Sequence, residues 1–258
     1  PTTPQTRHPA TPQTRHPANP QTRKPAQAHR HPNHPMIRVV MLKLFVGNKR
    51  YSSWSMRPWV ALKATGEPFV EEVIALDLPD SSERIRRVNP AGRVPVLIDG
   101  DLRVWDSLAI CEYLAERLPD AGLWPSDPTA RAVARSACAE MHSSFLALRN
   151  ELPMRIYPPS QPVPASTPGE QAQSDIARIT SLFAELRSRY QAQGPYLFGR
   201  FSIADAFFAP VVIGRFAAYG IPLAGAAAEY AAALANHPAV AAWVHDAHNE
   251  TLRAPRHE

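Results

Sequence analysis

Residues 89–110 read NPAGRVPVLIDGDLRVWDSLAI, and three local signals in this stretch decide the fold of the first half of the chain. Asn89-Pro90-Ala91-Gly92 reads as a turn, because proline and glycine restrict or release the backbone as a turn requires. Arg93-Val94-Pro95-Val96-Leu97-Ile98 then predicts a strand, Asp99-Gly100 a hairpin connection, and Leu102-Arg103-Val104-Trp105 the returning strand. Asp106-Ser107 stands directly before Leu108, Ile110, Cys111, Tyr113, Leu114 and Leu118, an apolar helical stripe with a capping residue at its head.

Upstream, Leu42, Leu44 and Val46 predict a short strand, followed by the polar break Gly47-Asn48-Lys49-Arg50 and a helix from Ser55 to Ala64 that Thr65-Gly66 ends. Phe69 to Leu76 alternates as a second strand, and Ser81 to Val88 predicts a short helix. Two apolar strands joined through a helix imply parallel pairing with a right-handed crossover. Downstream of Pro119 to Pro128 the composition turns alanine-rich. Helical periodicity runs from Thr129 to Glu151 and from Pro168 to Gln193, with a proline-rich loop, Pro153 to Pro168, between them. Ser202-Ile203-Ala204-Asp205 has capping-box spacing and opens a helix to Phe216 that is apolar nearly all round, hence central. Ala226 to Ala235 and Pro238 to His248 predict two more helices, so the second half reads as all-helical.

The 258 residues hold 28 basic and 23 acidic side chains, a net charge of +5, and 28 prolines. Residues 1–35 carry nine of those prolines and five of the Arg and Lys residues, with no acid. The 28 basic residues less these five leave 23, against 23 acidic, so the body is neutral and a nucleic-acid partner loses its electrostatic support. Within the tail, residues 3–10 and 11–18 both read TPQTRHPA and residues 19–26 read NPQTRKPA. Such a repeat has too few apolar side chains to repay ordering, and residues 1–40 are read as disordered. Its function is open between a weak polybasic tether and sequence upstream of a start at Met36 or Met41. Cys111 and Cys138 have no disulfide-framework spacing and read as reduced thiols. No apolar run approaches the roughly 20 residues of a membrane span. No metal-ligand cluster or nucleotide fingerprint stands out, and the expectation is a soluble, cytoplasmic protein.

Four segments in this order resemble the glutathione transferases: Tyr51-Ser52-Ser53-Trp54-Ser55, Asn89 to Pro95, Asp106 to Ile110, and Ser202 to Asp205. The resemblance implies an α/β thioredoxin-like domain over residues 41–120 followed by an all-α domain over 129–250. Glutathione would be the co-substrate, a small electrophile the second substrate, and a homodimer the assembly. The first segment is most similar to the serine-type, zeta-like bacterial members, with Trp54 in place of their cysteine. That subclass is known for conjugating small halo-acids and isomerising maleylacetoacetate.

The resemblance also implies roles. Ser52, with Ser53 as the runner-up, would donate a hydroxyl to the glutathione sulfur, aided by the positive end of the first helix; the alternative is that both merely cap that helix. Tyr51 is a further candidate. Val94 and Pro95 match the family's cis-proline dipeptide, which pairs with the glutathione backbone. Asp106 and Ser107 match the acid-Ser pair that grips the γ-glutamyl end, though Asp-Ser is also an ordinary cap. Arg93 either pairs with the glycyl carboxylate or is solvated. Trp54 and Trp59 either wall the electrophile pocket or fill the domain interface, and His142 is left outside the catalytic set. A non-catalytic docking module and a glutathione-dependent cis-trans isomerase are the competing functions.

Overall fold

The computed structural model describes residues 41–252 and 254, so the reading of residues 1–40 lies outside the described residues. Strand β1 (Leu42–Val46) forms the middle of a four-stranded sheet. It pairs in parallel with β2 (Phe69–Val73) and antiparallel with β3 (Val96–Asp99), and β3 pairs antiparallel with β4 (Leu102–Trp105), giving the order β2-β1-β3-β4. Helix α1 (Ser53–Thr65) makes the parallel crossover, α2 (Ser81–Val88) leads to the third strand and α3 (Ser107–Arg117) follows the fourth. The predicted hairpin forms across Asp99↔Leu102.

The helical half contains α4 (Pro128–Ser143), α5 (Leu146–Glu151), α6 (Glu170–Tyr190), α7 (Ile203–Val211), α8 (Gly225–Ala235) and α9 (Pro238–Asn249). Its core is continuous with that of the sheet half, because α1 packs against both α3 and α7. Eight consecutive residues of α1, Ser55–Leu62, are therefore buried, whereas a helix on a sheet surface buries only one stripe. That two-sided burial decides the character of the functional site.

Several boundaries differ from the sequence reading. Helix α1 begins at Ser53 rather than Ser55, which puts both candidate serines at its N-terminus. Strand β2 stops at Val73, since beyond it the backbone turns to a side chain: the Leu76 N–H donates to Asn48 Oδ1 at 2.7 Å. The helix expected from Thr129 to Glu151 breaks at Ser144–Phe145, where Phe145 takes a left-handed backbone (φ 62°) that ends α4 and starts α5. The central helix reaches past Phe216, but from Val212 to Ala217 it widens into a π-helical turn. Within that turn, a Cβ on Gly214 would lie 2.2 Å from Met154 Cγ, so only glycine lets the 152–156 segment run this close.

The Ser202/Asp205 capping box is present, with the Asp205 carboxylate also accepting from the Leu197 N–H at 3.1 Å. Asp205 is thus a buried cap, raised to about 6 by burial. Cys111 and Cys138 are buried free thiols whose pKa values burial pushes up, which leaves them unreactive. Among the described residues no helix is long and apolar enough to cross a membrane.

Candidate active site

A groove of about 300 Å³ opens on the sheet half, lined by Trp54, Arg93, Val94, Pro95, Trp105, Asp106 and Ser107. Five of the seven candidate residues thus meet on one wall. The Val94-Pro95 bond is cis. The Ser107 hydroxyl, at the first position of α3, is buried without a hydrogen-bond partner, beside backbone N–H groups and the positive end of the helix. An unpartnered buried donor in this position suits a carboxylate.

Asp106 takes the capping role that was one of its two expected readings. With φ 75° it caps α3 itself, Oδ1 accepting from the Leu108 N–H at 2.8 Å and the Ala109 N–H at 3.3 Å. Its Oδ2 faces His142 Nε2 at 3.3 Å. The Asp106 side chain stays exposed. His142 therefore sits at the edge of the site: its ring meets Trp54 edge-on at 5.1 Å, and burial lowers its pKa while Asp106 opposes the shift. Arg93 is exposed at the groove and makes no ion pair among the described residues, while its carbonyl accepts from Asn89 Nδ2 at 2.7 Å.

Ser52 and Ser53 lie at the start of α1, next to Trp54 of the groove wall. Ser52 is buried, and its hydroxyl hydrogen-bonds the Ser55 hydroxyl at 2.7 Å. Ser55 Oγ in turn accepts from the Gly47 N–H at 3.0 Å. Because hydroxyl protons rotate, Ser55 can donate to Ser52 and free the Ser52 proton for a third atom. Ser55 was not singled out by the sequence, although its i,i+3 spacing from Ser52 was the signal. Ser53 is half-exposed, and Tyr51 packs edge-on against Tyr157 at 6.0 Å.

The loop that delivers Ser52 is held from the far end of the chain. Glu250 accepts from the Lys49 N–H at 2.8 Å and the Arg50 N–H at 3.3 Å, Asn48 Nδ2 donates to the Leu252 carbonyl at 3.1 Å, and Trp243 Nε1 donates to the Lys49 carbonyl at 3.0 Å. The Lys49 ammonium pairs with Glu71 and with Asp246, both at 2.7 Å, and lies over the rings of Trp59 and Trp243. Trp59 is accordingly interface packing and not groove wall.

Behind Trp54 the sequence reading missed a cluster of arginines. Arg57 is buried in α1, its guanidinium 4.3 Å from the Trp54 ring centroid and 4.7 Å from that of Phe207. Arg149 of α5 lies 4.7 Å from the same Trp54 ring. Arg215, in the π-helical turn, is buried as well. Burial, reinforced by mutual repulsion, lowers Arg57 to about 9 and Arg215 to about 10, so all three remain cations at neutral pH. Among the described residues none of the three forms an ion pair with a carboxylate. A desolvated cation–π contact is worth up to about 2 kcal/mol, which falls short of the several kcal/mol that burying an ion costs.

Two family models match the chain: the glutathione S-transferase N-terminal domain over residues 51–117 and the glutathione S-transferase C-terminal domain over residues 169–246. Glutathione S-transferase 1 of Dianthus caryophyllus is 30% identical over 177 residues, 67% of this chain and 77% of that one. The chain belongs to the glutathione S-transferase family. A probable maleylacetoacetate isomerase of Caenorhabditis elegans is 35% identical over 100 residues, 38% of this chain and less than half, 46%, of that protein. A glutathione transferase homolog from Burkholderia gl BGR1, solved with bound glutathione, superposes with a TM-score of 0.62 at 27% identity, covering 81% of this chain and 99% of the other. Thioredoxin-like sheet half and helical half agree with family architecture, and glutathione conjugation is the activity that membership supports.

Proposed function

We propose that the chain is a serine-type, zeta-like glutathione transferase that ionises the glutathione thiol at the start of α1 and adds it to a small electrophile. The observation that supports this reading is the groove itself, with the unpartnered Ser107 hydroxyl in its lining and the hydrogen-bonded Ser52 and Ser55 flanking Trp54 of its wall in sequence. Ser107, through its hydroxyl and its backbone N–H at the head of α3, would hold the γ-glutamyl carboxylate, and Asp106 its ammonium. The Val94 backbone would pair with the cysteinyl residue, and Arg93 with the glycyl carboxylate. Glutathione supplies the nucleophilic sulfur.

A thiol of pKa about 8.5 is mostly protonated at neutral pH, and each pKa unit removed is worth about 1.4 kcal/mol. Ser52 donates to the sulfur, Ser55 donates to Ser52, and the Gly47 N–H fixes Ser55. Together with the positive end of α1 these groups favour the thiolate. Holding it against a bound electrophile supplies proximity. The assembly is read as a homodimer and the compartment as cytoplasmic.

Ultraviolet difference absorbance of the bound thiolate, titrated with pH, tests the reading. Ser52→Ala is expected to raise the thiol pKa by about 1 unit, as befits one charge-assisted hydrogen bond, and Ser55→Ala by less. An ordinary thiol pKa in the parent protein defeats the reading in favour of a docking module. Equal pKa in parent and Ser52→Ala moves the role to Ser53 or to backbone donors. The match to an isomerase favours one second reading, cis-trans isomerisation, in which glutathione is not consumed over many turnovers.

A further inference from the structure

We propose that His142 is a positioning residue for glutathione: it shares the Oδ2 atom of Asp106 with the α-ammonium of the γ-glutamyl group, so that a protonated imidazole and the tripeptide exclude one another. The inference deepens the transferase reading and rests on it for Asp106 as the partner of that ammonium. The pairing of His142 with Asp106 is a separate observation.

The cap of α3 leaves Asp106 one oxygen to offer. Both N–H groups that it caps, those of Leu108 and Ala109, donate to Oδ1, and His142 Nε2 stands 3.3 Å from Oδ2. A carboxylate oxygen accepts along two directions, so an ammonium that reaches Oδ2 meets the imidazole across the same atom. The ring is held there by its neighbours. Trp54 of α1 meets it edge-on with centroids 5.1 Å apart, and Phe207 of α7 lies at 6.4 Å.

The charge of the ring sets what the ammonium finds. A neutral imidazole beside a carboxylate keeps its proton on Nε2 and donates it, which preserves the charge of Asp106 and leaves one direction of Oδ2 open. An imidazolium cancels that charge and repels a second cation. The surroundings favour the neutral ring. Nδ1, which must carry the second proton, is buried without a hydrogen-bond partner among the described residues. Burial lowers the pKa of the ring, Asp106 opposes the shift, and the charges of Arg57 in α1 and Arg149 in α5 add to it. The last carbonyls of α4 would attract a cation, but Arg149 already donates to those of Met141 and His142. The site is therefore open at neutral pH and closes in acid. Binding in acid sends one proton from the imidazolium to the buffer, while the Nε2 proton stays on Asp106.

Calorimetric titration of S-methylglutathione, whose sulfur has no proton to lose, into the full chain reads this linkage in buffers of unlike ionisation enthalpy. Binding should release a fraction of a proton per ligand between pH 5 and 6 and none at pH 7.5. Affinity should fall about 5-fold from pH 7.5 to pH 5, against a limit of about tenfold per pH unit for a fully competing group. His142→Gln keeps a donor for Asp106 but has no proton to release, and it should abolish both effects. Other groups that titrate in this range, Asp205 at about 6 among them, remain in that variant. An S-methyl tripeptide with glutaryl in place of γ-glutamyl has no ammonium and should bind the parent without releasing a proton, which decides the matter should the variant fail to fold. Release that persists in His142→Gln, or with the glutaryl analogue, overturns the inference. So does binding to the parent with no proton released and one affinity across the range, an outcome that leaves the transferase reading intact. Failure of glutathione and its S-methyl form alike to bind at any pH removes that reading and the inference with it.

Discussion

Gly214→Ala inserts one methyl group where the structure has no room for it. The new Cβ would lie 2.2 Å from Met154 Cγ, with the Met154 Cβ and Sδ at 3.3 and 3.2 Å. These are atoms near the root of the side chain, so a change of rotamer at its tip does not relieve the contact. Nor can the backbone retreat: the Arg155 N–H donates to the Gly214 carbonyl at 2.9 Å, the Ile156 N–H to the Arg50 carbonyl at 3.1 Å, and Tyr219 Oη to the Pro153 carbonyl at 3.0 Å. Overpacking of this kind costs about 1–3 kcal/mol, or a melting temperature lower by roughly 2–12 °C for a chain of this size. Met154→Ala alone should cost about 2–5 kcal/mol through the cavity it leaves. In urea unfolding the double variant should be less destabilised than the sum of the two by about 1 kcal/mol or more, because each change makes room for the other. Additive losses would refute the close-approach account of this glycine.

Two further outcomes follow from buried charge. Asp205 has a folded pKa of about 6 against an ordinary 3.8, so the folded chain holds more protons than the unfolded one between those values. Stability from this group is therefore full at low pH and falls as pH rises through 6. Relative to Asp205→Asn, the parent should gain about 1 kcal/mol between pH 7 and pH 5 in urea unfolding, and a pH-independent gap would contradict this. Lys49→Met removes the partner of Glu71 and Asp246, both of which can rehydrate, and should lower stability by about 1–3 kcal/mol; an unchanged urea midpoint would show the pairing to be idle.

What the sequence disclosed was local. The hairpin at Asp99-Gly100, the cap at Asp106, the Ser202/Asp205 box and the strand alternation each depend on residues within a few positions of one another, and all are present in the structure. What stayed hidden depends on contacts between distant segments. The break at Phe145 and the π-helical turn are set by packing that no short window contains, and Gly214 is a glycine because of Met154, sixty residues earlier in the chain. The arginine cluster was illegible for the same reason: residues 57, 149 and 215 look like ordinary helical arginines until α1 is known to be enclosed on both sides. His142 was left out as a lone helical histidine, and only the fold brings Asp106 and Trp54 to it.

The clasp of Trp243, Glu250 and Leu252 on residues 48–50 has a consequence for how the protein matures on the ribosome. The sheet half emerges first and can collapse around its own hydrophobic strands, yet the bend that aims Ser52 is left without its partners until some two hundred residues later in translation. Nascent chains stalled before that point would carry a thioredoxin-like lobe with the bend before Ser52 unset, so that bend is completed by Trp243 and the residues just after α9 and not by the lobe that houses it.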